Sequence, residues 1–249
     1  MKHRKAFVVA AVVLSLVVGM AKDSRASVGI LYYQDGVVGA DRMAAALSSL
    51  GANYSVTTAI NNFDFETKIA TGDYSLGIFF AQSNYSSGYT GAINALGSFV
   101  ATGGKAIYAD WSRNNALALA NFGVGFTGNT NQNTMTVSMP ELAAGLTNPV
   151  IIANTSWGVF STGLNLGTTA ATFANSETAI AVSMDGRVIV NGFLSDTIAD
   201  VATGVQLYRN EIDTVLADAN AVPEPASLIV WSLMGGLGVC LRRRRKRVA

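Results

Sequence analysis

The chain has 249 residues, half of them hydrophobic, and its formal charge of +1 is made at the ends: eleven of the seventeen Lys and Arg lie in the first 25 residues or the last eight. Between Ser27 and Asn220, Arg42, Lys68, Lys105, Arg113, Arg187 and Arg209 face fourteen acids, six against fourteen or about −8; such a body excludes nucleic acid, whose phosphates demand a basic face. The only histidine is His3 and the only cysteine Cys240, which removes disulfides, Cys/His zinc sites, Cys–His pairs and Ser-His-Asp triads from the body.

In chain order, Lys2, Arg4 and Lys5 precede an uncharged apolar run from Ala6 to Met20, and Ser24-Arg25-Ala26 puts small residues where a signal peptidase reads. This predicts a secretory signal peptide over 1–26, cut by signal peptidase after Ala26. The body, 27–220, then alternates strand and helix. Val28 to Tyr33 is an apolar strand that ends at the Asp35-Gly36 turn. Asp41 caps a helix carrying Met43, Ala44, Leu47 and Leu50. Tyr54 to Thr58 is a strand, and Phe63 to Ala70 a short helix capped by Asn61 or Asn62. Tyr74 to Phe80 is nearly all apolar, as a strand covered on both faces should be. Tyr89 to Thr102 reads as a helix stopped at Gly103-Gly104, Lys105 to Ala109 as a strand, and Asn114 to Ala120 as a helix.

From Gly123 to Asn175 the texture turns to Gly, Asn and Thr with short β-like runs, such as Thr134 to Met139. It reads as an irregular insertion or small edge elements. Thr178 to Met184, the Asp185-Gly186 turn and Arg187 to Asn191 make a hairpin. The last helix runs from about Asp200 to Asp218, with Val201, Val205, Leu207, Tyr208, Ile212, Val215 and Leu216 on its apolar face. The alternation implies an α/β fold, a mostly parallel sheet with helices on both sides.

The tail, 221–249, has three pieces. Pro223-Glu224-Pro225 cannot lie in a regular helix or central strand and leaves an extended, accessible peptide. Ala226 to Leu241 carries no charge, yet its 16 residues are short for a bilayer crossing of roughly 20. Arg242, Arg243, Arg244 and Arg245, then Lys246 and Arg247, hold the end on the cytoplasmic side.

With Pro223-Glu224-Pro225 as its signature, this tail resembles the PEP-CTERM sorting domain of exported bacterial proteins. The resemblance implies an exosortase as partner, transient membrane association through the tail, and its removal with release or attachment at the cell surface. The body resembles the flavodoxin-like three-layer sandwich, and within it the class I glutamine amidotransferase-like superfamily. The strand into Phe80, Gly103-Gly104 before the next strand, and the late hairpin leading into a last helix carry that likeness. In that family a nucleophilic Cys follows the strand that here ends at Ala109, and a His falls near the end of the hairpin. This chain has Asp110-Trp111-Ser112 and Gly192-Phe193-Leu194 there, so the resemblance implies no amidotransferase chemistry.

Ligands of open α/β sheets sit beyond the carboxyl ends of the strands. Asp35, Gln82, Asn84, Asp110, Trp111 and Arg113 fall on those loops, where acid, amide, indole and guanidinium suit sugar hydroxyls and ring faces. The plainer reading has Asp110 and Ser112 capping the following helix, Trp111 covering the core and Asn84 making a turn. No catalytic set, metal site or cofactor follows from the residues. The expectation is an exported, non-catalytic binding or structural protein of the cell surface or matrix, with extracellular polysaccharide or other surface proteins as partners. The alternative is a carboxylate-dependent carbohydrate-active enzyme using a pair such as Asp35 with Asp110, since that chemistry needs no histidine.

Overall fold

The structure is a computed structural model that describes residues 27–83, 86–153 and 158–217. The expected signal peptide, the Pro-Glu-Pro tail with its apolar run, and Asn84 lie outside the described residues. Those described belong to one compact unit, Ser27–Asn220.

Five strands form a parallel block. They are β1 (Val28–Asp35), β2 (Tyr54–Thr58), β3 (Leu76–Ala81), β4 (Lys105–Asp110) and, much later in the chain, β11 (Val188–Asn191), in the order β2-β1-β3-β4-β11. Every pairing among them is parallel. This is the doubly wound order of the flavodoxin-like fold, reversing direction between β1 and β3. All six residues of β3 are buried, which is why Leu-Gly-Ile-Phe-Phe-Ala has no polar member.

The crossovers are α1 (Arg42–Ser48), α2 (Asn62–Ile69), α3 (Thr90–Ala101) and α4 (Asn115–Phe122). Their starts are written locally. Asp41 accepts from Ala44 N at 2.8 Å, Asn61 from Asp64 N at 2.8 Å and Asn114 from Leu117 N at 3.1 Å, each satisfying an amide that the first helical turn leaves open. Of the two expectations for Gly123 to Asn175, the structure has small strands added to the sheet, not an irregular insertion. The stretch supplies β5 (Gly125–Thr130), β6 (Thr134–Val137), the single turn α5 (Pro140–Ala143), β7 (Val150–Ile151), β8 (Thr162–Asn165) and β9 (Thr168–Phe173). With β10 (Thr178–Ser183) these make an antiparallel wing on the same sheet, joined to the block through the β10–β11 hairpin. The chain then enters α6 (Val201–Leu216), capped by Asp200, which accepts from Thr203 N at 2.7 Å.

Strand alternation sends side chains into two cores. Ile30, Tyr32, Ile78, Phe80 and Ile107 pack with Met43 and Leu47 of α1 and with Leu207, Tyr208 and Ile212 of α6. Leu31, Tyr33, Phe79 and Tyr108 face the other way, onto Phe65, Ile69, Ile93, Leu96 and Phe122 of α2, α3 and α4. The result is a flavodoxin-like three-layer sandwich, as the alternation predicted.

Candidate functional site

The crevice where β1 and β3 diverge is where such sheets take ligands. Here it is occupied by the chain itself. Asp35, at the end of β1 and 7% exposed, accepts from Ser83 N at 3.2 Å, from Ser83 Oγ at 3.2 Å and from Tyr89 Oη at 2.7 Å, and also from Gln82 N. Gln82 is fully buried; its Nε2 donates to Gly36 O at 2.9 Å, and its Oε1 accepts from Ser195 N. Ser195 Oγ donates to Gln34 Oε1 at 2.7 Å, and Asp196 accepts from Val38 N. Tyr32 Oη donates to Asp41 Oδ2 at 2.8 Å, and burial, with the Asp41 carboxylate beside it, holds the phenol well above its ordinary range. The loops after β1, β3 and β11 are thus stitched together. Asp35 and Gln82 hold the fold's open end shut.

A second place opens at the ends of β4 and β11. Trp111, Phe160, Ser161, Phe193 and Leu194 line a shallow cleft beside Asp110, with room for about one water molecule. Trp111 N donates to Ala81 O at 3.0 Å, and Ser161 bridges antiparallel to Phe193, so the segment before β8 closes over the cleft. Arg113 sits next to it with φ of +56°, its Nη1 3.4 Å from Gly128 O. The positions that the amidotransferase resemblance assigns to nucleophile and base, Asp110-Trp111-Ser112 and Gly192-Phe193-Leu194, do converge on one cleft. Neither brings a Cys or a His.

Asp110 is 3% exposed and accepts from Ser112 N at 2.9 Å, Ser112 Oγ at 2.6 Å and Asn114 N at 3.0 Å. It shapes the turn into α4, while Asn114 is the cap. Asp35 and Asp110 both pair in register with Ala81, on either side of β3. Their backbones are therefore two strand spacings apart, roughly 9–10 Å. Each carboxylate is buried and its lone pairs are taken by several donors. A general acid or base needs a lone pair facing substrate or water.

Sequence reasoning singled out the loops after β1, β3 and β4, and Gly192-Phe193-Leu194 after β11, but passed over the polar residues that follow. Ser195-Asp196-Thr197 are buried at 0%, 4% and 0% exposure. The available signal was a polar run three residues past the end of the strand Val188–Asn191. Nor does spacing reveal Glu211 and Asn191, a buried acid and amide in contact.

No protein-family model matches the chain, and no curated protein does. Solved structures do. A protein described as a GMP synthase subunit from Thermoplasma acidophilum superposes with a TM-score of 0.53 at 13% identity, over 78% of this chain and 97% of that one. PurLQS from Thermotoga maritima gives 0.45 at 12% identity, over 78% and 98%. A β-galactosidase from the psychrophilic Marinomonas ef1 gives 0.45 at 11%, over 87% of this chain and 34% of that one, so the chain spans about a third of that enzyme. The first of these likenesses, together with the strand order, shows the flavodoxin-like α/β fold.

Proposed function

We propose that this is an exported, exosortase-processed protein of the cell surface or extracellular matrix, whose α/β body binds or packs rather than catalyses. The observation that carries the second half is the cleft at β4 and β11. Its walls are Trp111, Phe160, Phe193 and Leu194, and no Cys or His lies anywhere in 27–220. The carboxylates on the neighbouring loops, Asp35 and Asp110, are committed to hydrogen bonds that shape those loops. The first half rests on residues alone: the basic and apolar N-terminus, Ala26 as cleavage point, Pro223-Glu224-Pro225, the short apolar run and Arg242 to Arg245. Trp111 and Arg113, half-buried at the rim, offer an aromatic face and a fork of donors to polysaccharide or to another surface protein.

Intact-mass and terminal-peptide mass spectrometry on protein from medium and envelope tests the sorting half. The expected form begins at Ser27 and ends near Pro223-Glu224-Pro225, and mass added at the new C-terminus identifies the attachment. A full-length chain confined to the membrane fraction would sink it. The body's half is tested with Asp35→Asn and Asp110→Asn on extracellular polysaccharides. No turnover is expected from the parent or the variants; turnover lost in the variants would establish an enzyme instead.

A further inference from the structure

Away from the cleft, α6 carries an acid into the core. Glu211 is fully buried on the face that also presents Leu207, Tyr208, Ile212 and Val215. Its Oε2 accepts from Asn191 Nδ2 at 3.0 Å, and Asn191, the last residue of β11, is 1% exposed. One oxygen is left over on each partner, because Glu211 Oε1 and Asn191 Oδ1 have no hydrogen-bond partner. A carboxylate can only accept, and so can an amide oxygen. Two buried acceptors left without a donor on one hydrogen-bonded pair would be an expensive arrangement. One proton resolves both, since a neutral carboxylic acid has a donor edge and an acceptor edge that match those of a primary amide.

We propose that Glu211 is a neutral acid in the folded protein, donating its O–H to Asn191 Oδ1 while accepting from Asn191 Nδ2, and that this reciprocal pair is a proton-operated clasp between α6 and the end of β11.

The surroundings agree. Burial raises the Glu211 pKa to about 8, against the opposing effect of the Asn191 hydrogen bond, and no cation enters the balance. Of the ionisable groups on neighbouring elements, Tyr208 is on α6 itself. Asp41 and Arg42 come from the start of α1, and Asp196 from the loop after β11. Exposed Glu141 lies in α5, and Lys105 and Asp110 stand at the two ends of β4. Burial and the Glu211 carboxylate push the Tyr208 phenol up, so it supplies no compensating charge. Removing the proton would set a buried carboxylate against an amide oxygen, directly before Gly192-Phe193-Leu194, the wall of the cleft. The clasp is closed from acid to neutral pH and released in alkali.

The sign follows from proton counting. The carboxyl titrates near 4.5 when unfolded and near 8 when folded. Between those values the native chain holds one more proton than the unfolded one, so its contribution falls as pH rises from about 4.5 to 8 and is level above that. Urea unfolding of the full chain from pH 5 to 8, beside Glu211→Gln, reads this directly, because the Gln amide reproduces both bonds without a titrating proton. The folding equilibrium constant of the parent relative to the variant should fall about tenfold per pH unit; parallel pH profiles would overturn the proposal. A second measurement does not depend on the variant folding. With all five glutamates labelled with carbon-13 at Cδ in the parent chain, one resonance should report a protonated carboxyl at pH 6 and shift near pH 8. Five ionised carboxylates at pH 6 would equally overturn it.

Discussion

The parallel block and the antiparallel wing share one sheet but are built from different material. The block's strands are four to eight residues long and separated by helices; apart from the polar edge strand β2 they are largely apolar and buried. The wing's strands from β5 to β9 run from two to six residues, rich in Thr, Gly and Asn, with turns at Asn131, Leu166 and Ser176 in left-handed conformations. One wing pairing is irregular between Phe126 and Thr130, another between Thr178 and Ala181. The difference teaches that a strand buried on two faces announces itself through composition. A strand added at the side of a finished sheet needs only an edge to pair with, and its residues are chosen for backbone pairing and turns.

The largest test strikes the block. Phe80 is fully buried on β3 between the rings of Tyr32 and Tyr208. Phe80→Ala should cost about 3–5 kcal/mol and unfold block and wing together in a denaturant titration. Loss of the wing's signal alone would show that the two halves fold separately. The seam is probed next. A Cβ on Gly192 would lie 2.3 Å from Thr162 O, a backbone atom of β8, whereas one on Gly77 would meet only the tips of Leu96 and Ile69, at 2.6 and 3.0 Å. Gly192→Ala should therefore cost about 1–3 kcal/mol, with faster amide exchange at Thr162, and Gly77→Ala should cost less because side-chain tips can move.

Asp35→Asn sharpens the comparison from the other end of the block. It turns an acceptor of four hydrogen bonds partly into a donor, at an expected cost of about 1–3 kcal/mol and with quicker exchange at Gln82 and Ser83; unchanged exchange there would mean the crevice is not held by this carboxylate. The smallest effect belongs to the cap of the final helix. Asp200→Ala should cost about 1 kcal/mol, measured by the thermal midpoint, and should fray α6 from its first turn while leaving the wing's exchange untouched.

Legibility in the sequence followed the same division. Strands β2, β10 and β11, the cap Asp41, the starts of α2 and α6, and the late hairpin can be placed within a residue or two, because each depends on neighbours in the chain. In the wing, β6 shows as the β-like run from Thr134, but the pairings do not, since β6 pairs with β9 across more than thirty residues and nothing local names that partner. For the candidate residues, pattern reading placed Asp35 and Gln82 on loops at the strand ends, but not their bonds to Tyr89 and Ser195, residues 54 and 113 positions away.

By itself, the sequence determined the alternating α/β order, the helix starts, an acidic body without Cys or His, and the two charged, apolar ends from which export is proposed. These follow from composition and from interactions within a few residues. Only the tertiary structure decided that Asp35 and Gln82 close the crevice, that Trp111 and Phe193 line one cleft, and that Glu211 finds Asn191. Each depends on which strands end side by side, and sheet order is settled by long-range packing that no local pattern encodes.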